Sequence, residues 1–448
     1  MNKPDLKTSQ INLSRTSVTT GVILMLWLLN SPLAFAESQV KNQALPHEVS
    51  IRELLRIVRE KSPRYALASS QIEAAQADVV AVDVLPNPKV SYGRYDQTGG
   101  RKNTQFDGPS QQNITVEVPL LLAGQRGARK DAAQRKVEVT EADVETQYNR
   151  LIHETCRLFV QLLAGQQRVA VLEEANWELE RLQAIITGKE NAGTASRYDV
   201  LRITQEVQSL KARLENAQTD NAGVVGELSV LLGFPDWKPQ AKGVLAPIGI
   251  SADINALWLQ AEQNNPELES AHRETLAAAS GLERARRERW PVPSLLLGTA
   301  FTDQPYGNTT YAGISVDLPL FDRGQGGMAK AAAEKHAALL KQELLVAATR
   351  QELERAVSVL SRRRTTLATF EREVIAPLPS LKQMAEDAYR LGKTGLLELL
   401  DSSRSSTEIQ LGHLELVVAE IEAELDAMTA SGLLAAASFA EPVFRQEP

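Results

Sequence analysis

Ile114 to Gly127 reads I-T-V-E-V-P-L-L-L-A-G-Q-R-G, and two hundred residues further on Ile314 to Gly327 reads I-S-V-D-L-P-L-F-D-R-G-Q-G-G. Seven of the fourteen positions are identical, and three more exchange Thr for Ser, Glu for Asp and Val for Leu. Each copy alternates apolar and polar residues, meets a proline, turns at Gly-Gln-x-Gly and runs into a long helical pattern. Alternation at period two marks a strand with two unlike faces. A strand that converts into a long helix, used twice, defines an internal repeat, and the rest of the chain is parsed around it.

The 448 residues leave room for two repeats of ~200 residues each. Alanine, leucine and glutamate dominate and only 5% of the chain is aromatic, a composition that favours long helices. The net charge of −7 is modest and its signs are interspersed, so nothing points to nucleic acid. A lone cysteine, Cys156, excludes an intrachain disulfide framework and a multi-cysteine metal site.

Lys3, Lys7 and Arg15 precede the apolar run Gly21 to Leu29, which is followed by Pro32 and Ala34-Phe35-Ala36. That is a signal peptide (1–36), with cleavage expected after Ala36. The apolar run is too short to span a bilayer, which takes ~20 residues. No cysteine adjoins the cleavage site, so no lipid anchor is expected there.

Repeat 1 is read as 37–233, a linker as 234–252, repeat 2 as 253–434 and a patternless tail as 435–448. Ser50 and Asp253 are placed as helix N-caps, and Pro63 and Pro266 open the helices that follow. Strands are expected at 89–96 and 113–120 in the first repeat, and at 294–302 and 311–320 in the second. Ile114, Val116 and Val118 oppose Thr115 and Glu117; Ile314, Val316 and Leu318 oppose Ser315 and Asp317. On strand pattern alone, two hairpins of a soluble sheet are the simpler reading. The export address and the arithmetic change it. Strands of this length suit a tilted membrane crossing, and a barrel needs at least ~8 of them. Four per chain close only if shared, and a trimer gives twelve.

The helices carry the strongest signal. No proline occurs between Pro119 and Pro235, and apolar residues step by threes and fours through Leu158, Leu162, Leu172 and Leu179, then Ile203, Val207, Leu210 and Leu228. The second half repeats the pattern in Leu353, Val357, Leu360, Arg364 and Leu367, then Leu397, Leu400, Leu411, Leu414, Ile421 and Leu425. These are coiled-coil heptads. They predict helices at 121–187 and 195–233, and at 326–391 and 396–434, turning back near Gly193 and Gly392. A span of that length is roughly 90 Å at 1.5 Å per residue, longer than a globular domain needs.

With these joints in view, the chain resembles the TolC-type outer-membrane efflux ducts across nearly all of its mature length. The residues nearest the heavy-metal (CzcC-type) branch are Leu85-Pro86-Asn87-Pro88, Gly124-Gln125-Arg126-Gly127-Ala128-Arg129, Leu318-Pro319-Leu320-Phe321-Asp322-Arg323 and the run Tyr389 to Asp401. The resemblance implies a mainly α fold with a membrane β-barrel part. A homotrimer would form a twelve-stranded barrel in outer-membrane lipid, standing on an α-helical periplasmic tunnel of a Gram-negative cell. It implies a periplasmic adaptor and an inner-membrane resistance-nodulation-division pump as partners, and heavy-metal cations as cargo. Drug efflux and type I protein secretion use the same kind of duct. A periplasmic coiled-coil scaffold without a channel is the competing class.

The resemblance also assigns sites. Pro119, Gly124, Pro319 and Gly324 mark the passage from strand to tunnel. Gly193, Thr194, Gly392 and Lys393 are the tip turns that meet the adaptor. Glu398 and Asp401 match acidic rings at the tunnel's narrow end; without the resemblance they are acids favoured at a helix start. Asp199 and Tyr389 match positions that hold the tip shut, and the basic partner expected there falls on Thr394, with Lys393 one residue away. Glu117 and Asp317 face either a barrel lumen or solvent, and Trp290, beside Arg286, Arg287 and Arg289, either anchors at a membrane interface or packs at a helix end. His47, His153, His272, His336 and His413 have no chelating spacing, so no metal site is expected. Gly124 to Gly127 lacks the Lys-Ser/Thr ending of a phosphate loop. No nucleophile–base set appears, so neither catalysis nor a cofactor is expected.

Overall fold

The computed structural model describes residues 45–96, 110–302 and 307–434. The leader, the tail and most of the two hairpin loops lie outside the described residues. The unit from Pro46 onward contains helices α1 (Ile51–Lys61), α2 (Pro63–Asp83), α3 (Gln125–Asn191), α4 (Arg197–Leu232), α5 (Ile254–Asn264), α6 (Pro266–Glu288), α7 (Gln325–Phe370), α8 (Leu378–Arg390) and α9 (Leu396–Ala430). Its strands are β1 (Glu48–Val49), β2 (Lys89–Asp96), β3 (Ser110–Pro119), β4 (Gln240–Ala241), β5 (Pro293–Thr302) and β6 (Gly307–Val316). No described helix is long and apolar enough to cross a membrane.

Strands β2, β3, β5 and β6 form one antiparallel sheet in that order. Its register aligns Val90, Val116, Leu297 and Ala312 in one row, and Val118, Leu295 and Ile314 in the next. Since side chains alternate faces, all of these lie on one side, joined by Tyr92, Ile114 and Phe301. The other side carries Ser91, Thr115, Asn113, Glu117, Gly298, Ser315 and Tyr311. There Tyr311 lies across Gly298, where any Cβ would meet its ring at 2.4 Å, and its hydroxyl bonds Thr115 Oγ1. The missing side chain gives the ring its seat, as aromatic cross-strand cover of a glycine does elsewhere.

The last strand departs from the sequence reading. Expected at 311–320, it runs from Gly307 to Val316. Its only partner among the described residues, β5, begins at Pro293 opposite Val316, so pairing runs out there. Asp317 and Pro319 therefore lie beyond the sheet, and the proline has no N–H to extend a ladder.

The helices follow the strand order. The 67-residue α3 is ~100 Å long, and its sheet-proximal half lies between α2 and α6. Asp83 at the end of α2 takes Lys130 at 2.8 Å and Arg126 at 3.0 Å; Arg150 reaches Glu267 and Arg129 reaches Glu288 on α6. Beyond α6 comes α7, tied by Lys341 to Glu274 and by Thr275 to Gln342. In its sheet-distal half α3 packs instead on α4 and α9. Asn221 of α4 fills the notch at Gly165, where a Cβ would come within 2.4 Å of its Oδ1. A polar residue at a heptad seam of this kind fixes register at some cost in stability. Repeat 2 differs at one place: a single helix was expected over 326–391. The structure ends α7 at Phe370, inserts a π turn at Glu371–Ile375 and restarts at Leu378. Pro377 and Pro379 lack the N–H groups that a continuous helix would use.

The inter-repeat segment is held by a buried ionic knot. Glu424 of α9, fully buried, accepts the backbone N–H groups of Ile248 at 2.5 Å and Gly249 at 2.8 Å. Arg364 of α7 donates to Glu424 at 2.8 Å, to Glu420 at 3.2 Å and to the carbonyl of Ile250 at 3.1 Å. Upstream, β4 pairs in parallel with β1, and Trp237 Nε1 donates to the carbonyl of Pro46 at 2.9 Å. The linker thus ties the start of repeat 1 to the last helices of repeat 2.

Burial, aided by the neighbouring Glu424 carboxylate, holds Glu420 above the usual carboxylate range. A carboxyl with a raised folded pKa favours the folded state when protonated, so the wild type loses stability as pH rises through that pKa. Glu420→Gln mimics the protonated form and should gain on the wild type from acid to neutral pH. Glu424→Ala strands two amides and half a guanidinium, and should cost about 3 kcal/mol throughout. Thermal melts across pH check both.

Candidate functional site: the tip turns and the strand-to-helix joints

Both helix hairpins end in the same turn. After α3, Gly193 adopts φ +73, Gly193 N–H donates to the carbonyl of Glu190 at 2.8 Å and Thr194 N–H to that of Lys189 at 2.8 Å. After α8, Gly392 adopts φ +67, and Gly392 and Lys393 donate to Tyr389 and Ala388 at 3.0 and 2.8 Å. Each is a Schellman closure, which needs a left-handed residue and so favours glycine. Thr194 Oγ1 adds a bond to the carbonyl of Lys189 at 3.1 Å.

The acids past these turns act as caps. Asp199 Oδ2 accepts from Ser196 N at 3.1 Å and from Ser196 Oγ at 2.7 Å, while Asp199 N–H donates to Ser196 Oγ. Glu398 Oε2 accepts Gly395 N–H at 3.0 Å; Gly395 has no hydroxyl, so only the carboxylate half of the capping box exists here. Asp401, one turn further, is exposed and makes no ion pair among the described residues. The seam of α9 also shifts by one position: Leu396 and Leu400 are buried, whereas Leu397 is 50% exposed and shares its stripe with Asp401 and Arg404.

No hydrogen bond joins Tyr389 to Asp199, whose carboxylate bonds Ser196. Tyr389 packs on the cluster of Ile186, Ile203, Leu396 and Leu400, and the ammonium of Lys189 stands 5.1 Å from its ring centroid. The cation beside Tyr389 therefore comes from the other hairpin, in place of Thr394 or Lys393. Two turns up, Lys382 of α8 binds Glu178 of α3 at 2.6 Å. Sequence reasoning passed over Lys189 and Lys382, because partners this far apart along the chain leave no local spacing signal.

The joints are equally regular. Pro119 closes β3 opposite Ser294, and Leu120 N–H still reaches the carbonyl of Pro293 at 2.8 Å. Gly124 and Gly324 begin α3 and α7 at φ +76 and +70. The glutamine after each glycine staples the turn: Gln125 Oε1 accepts Ala123 N–H at 3.0 Å and Gln325 Oε1 accepts Arg323 N–H at 2.7 Å. That role explains why Gly-Gln recurs in both halves. Trp290 is exposed, and its carbonyl accepts from Gln125 Nε2 at 3.4 Å. Glu117 lies on the polar face of the sheet, opposite Lys89.

Elsewhere the chemistry is quiet. No group of three or more His, Cys, Asp or Glu among the described residues is placed to hold a metal. Burial pushes the Cys156 thiol up to about 12, so it is an inert packing residue. His153 and His413 each face a carboxylate, Asp426 at 3.5 Å and Glu371 at 3.0 Å.

A cation over an aromatic face at an exposed site is worth about 0.5–1 kcal/mol. A double-mutant cycle of Lys189→Gln and Tyr389→Leu, read by denaturant unfolding, should give a coupling of that size. Lys393→Gln with Tyr389→Leu should give none.

Residues 54–233 match the family model for outer membrane efflux proteins. The chain is 26% identical over 356 residues to the cobalt-zinc-cadmium resistance protein CzcC of Cupriavidus metallidurans, covering 78% of this chain and 81% of that one. It is 22% identical over 429 residues to the pyoverdine export outer membrane protein OpmQ of Pseudomonas putida, with 88% and 89% covered. Among solved structures, a membrane protein from Pseudomonas aeruginosa superposes with a TM-score of 0.71 at 19% identity, over 85% of this chain and 93% of that one, so the two share a fold. Matched by the family model through its first repeat and by relatives through both, the chain is similar to outer membrane efflux proteins over most of its length.

Proposed function

We propose that three copies of this chain form the outer-membrane exit duct of a tripartite efflux machine, with the leader removed after Ala36. The sheet carries the reading: one face is mainly apolar over the rows from Tyr92 and Ile114 to Val118 and Ile314, the other mainly polar, and among the described residues β2 and β6 are left as open edges. Twelve strands from three copies close those edges into a barrel with its apolar face in lipid and Glu117 towards the lumen. The helices continue the same strand order away from the membrane as a water-filled tunnel. Its tip turns, Gly193-Thr194 and Gly392-Lys393, meet a periplasmic adaptor, and an inner-membrane pump supplies the energy. Passage is passive, with no catalytic step or cofactor.

Heavy-metal cations are the cargo favoured by the CzcC relative and by the residues Tyr389 to Asp401. The longer alignment with a pyoverdine exporter supports a siderophore as the second reading. A deletion strain separates them: sensitivity to cobalt, zinc or cadmium with normal siderophore release is expected, and the reverse pattern overturns the metal assignment.

At the tip, Asp401 is the freer of the two acids, and symmetry would set three copies around the axis beside the three Glu398 carboxylates. Such a ring concentrates cations. Glu398→Ala/Asp401→Ala should abolish cation selectivity and weaken multivalent-cation block in planar bilayers with the trimer intact. Asp401→Ala alone should give most of that loss, since Glu398 also caps its helix. Unchanged selectivity in the double variant would assign the acids to the helix start alone.

The sheet faces give a second check. Val116→Arg, on the apolar face, should cost about 2–4 kcal/mol at the bilayer midplane and reduce assembled trimer in the outer membrane. Thr115→Arg should assemble nearly as wild type. Equal yields would place the sheet outside lipid.

A further inference from the structure

Four helix ends and both joints meet at the base of the sheet, and their charges do not balance. Asp83 is shared by Arg126 and Lys130, Glu283 by Arg286 and Arg287, and Glu288 is taken by Arg129. Asp322 is turned inward to Gly324 N–H at 2.9 Å. Arg284, Arg289 and Arg323 remain exposed with no ion pair among the described residues. Arg289 is placed by the fold: its Cγ stands 3.1 Å from where a Cβ on Gly324 would be, so it lies against the start of α7. Arg287 likewise approaches Gly124. The positive ends of α3 and α7 point to the same level and add to the field.

Large apolar side chains are exposed beside these arginines. Phe321 is 94% exposed, Leu122 74%, Leu318 72% and Trp290 62%. All four lie in the joints between strands and helices, within a few residues of the last paired row of the sheet. Free cations beside exposed aromatics, at one edge of an apolar sheet face, fit a surface that is apolar on one side and anionic on the other. We propose that Arg284, Arg289 and Arg323 form a phosphate-binding belt for anionic phospholipid headgroups of the periplasmic leaflet, with Trp290 and Phe321 set among the acyl chains just above. The inference rests on the duct reading of the sheet. A basic side chain at an anionic lipid surface strengthens attachment about fivefold, so three per chain give a marked preference over zwitterionic lipid.

The test uses the full-length protein in vesicles, with Trp290 as reporter. Brominated phosphatidylglycerol and brominated phosphatidylcholine quench a tryptophan that they touch. The wild type should be quenched by the anionic lipid at a several-fold lower lipid fraction. Arg284→Gln/Arg289→Gln/Arg323→Gln should erase that difference, and the corresponding triple Lys variant should keep it, which separates lost charge from lost packing. Inorganic phosphate, added in excess, should leave the preference in place. Equal quenching by both lipids in the wild type overturns the proposal, as does a preference that survives in the triple Gln variant or is abolished by inorganic phosphate, the mark of a free-anion site. A wild type that inserts and conducts without lipid preference leaves the duct reading standing. One that is not quenched by either lipid removes both.

Discussion

Two strand edges with nothing beside them among the described residues set the terms for this structure. Among the described residues β2 and β6 each pair on one side only, and each presents a row of unpaired N–H and C=O groups. In water such edges invite aggregation, and in hydrocarbon each unmatched group costs several kcal/mol. The sheet compounds the problem with one face on which Val90, Val116, Val118, Leu295, Leu297, Phe301 and Ile314 lie together. A closed ring of such sheets removes both liabilities at once. Strand length, face polarity and the helix order below are all compatible with the closure proposed above.

The helices then have to hold two sheet halves at a set angle over a long lever. The chain does this by using α3 twice, against α2 and α6 near the sheet and against α4 and α9 far from it. The knot of Arg364, Glu420 and Glu424 locks the crossing between repeats. Two buried carboxylates share one guanidinium, and only the two amides of Ile248 and Gly249 complete the set. Such a site is tolerated because every acceptor of Glu424 is used, and a knot that must be fully made selects one linker path. At the tip the ties are weaker and exposed: a capped helix start, Lys189 over a ring, Lys382 on Glu178. The ties are thus firm at the linker and loose at the tip, where local opening costs least.

Much of this was legible in the sequence because it was written twice. The recurrence of Pro, Gly-Gln and Gly at fixed offsets located the joints and tip turns, and the glycines turn out to be the left-handed residues those turns need. Period-two alternation separated Val116 from Thr115 correctly. The misses share a cause. The end of β6 depends on where β5 starts, and the break at Glu371–Ile375 on how two prolines are absorbed; neither shows in a local pattern. Arg364 was visible as a heptad position, yet its partners lie far along the chain. Tyr389 was singled out, but its cation, Lys189, belongs to the opposite hairpin.

The shared barrel stands or falls on whether β2 of one copy meets β6 of another. Replacing Tyr92 with a photoreactive benzoylphenylalanine puts a probe on the open edge, and irradiation of outer membranes followed by peptide mapping reads its neighbours. Covalent ladders ending at three chains, with inter-copy adducts in residues 307–316, are the predicted result. Monomeric protein whose adducts all fall within its own chain would contradict the shared barrel.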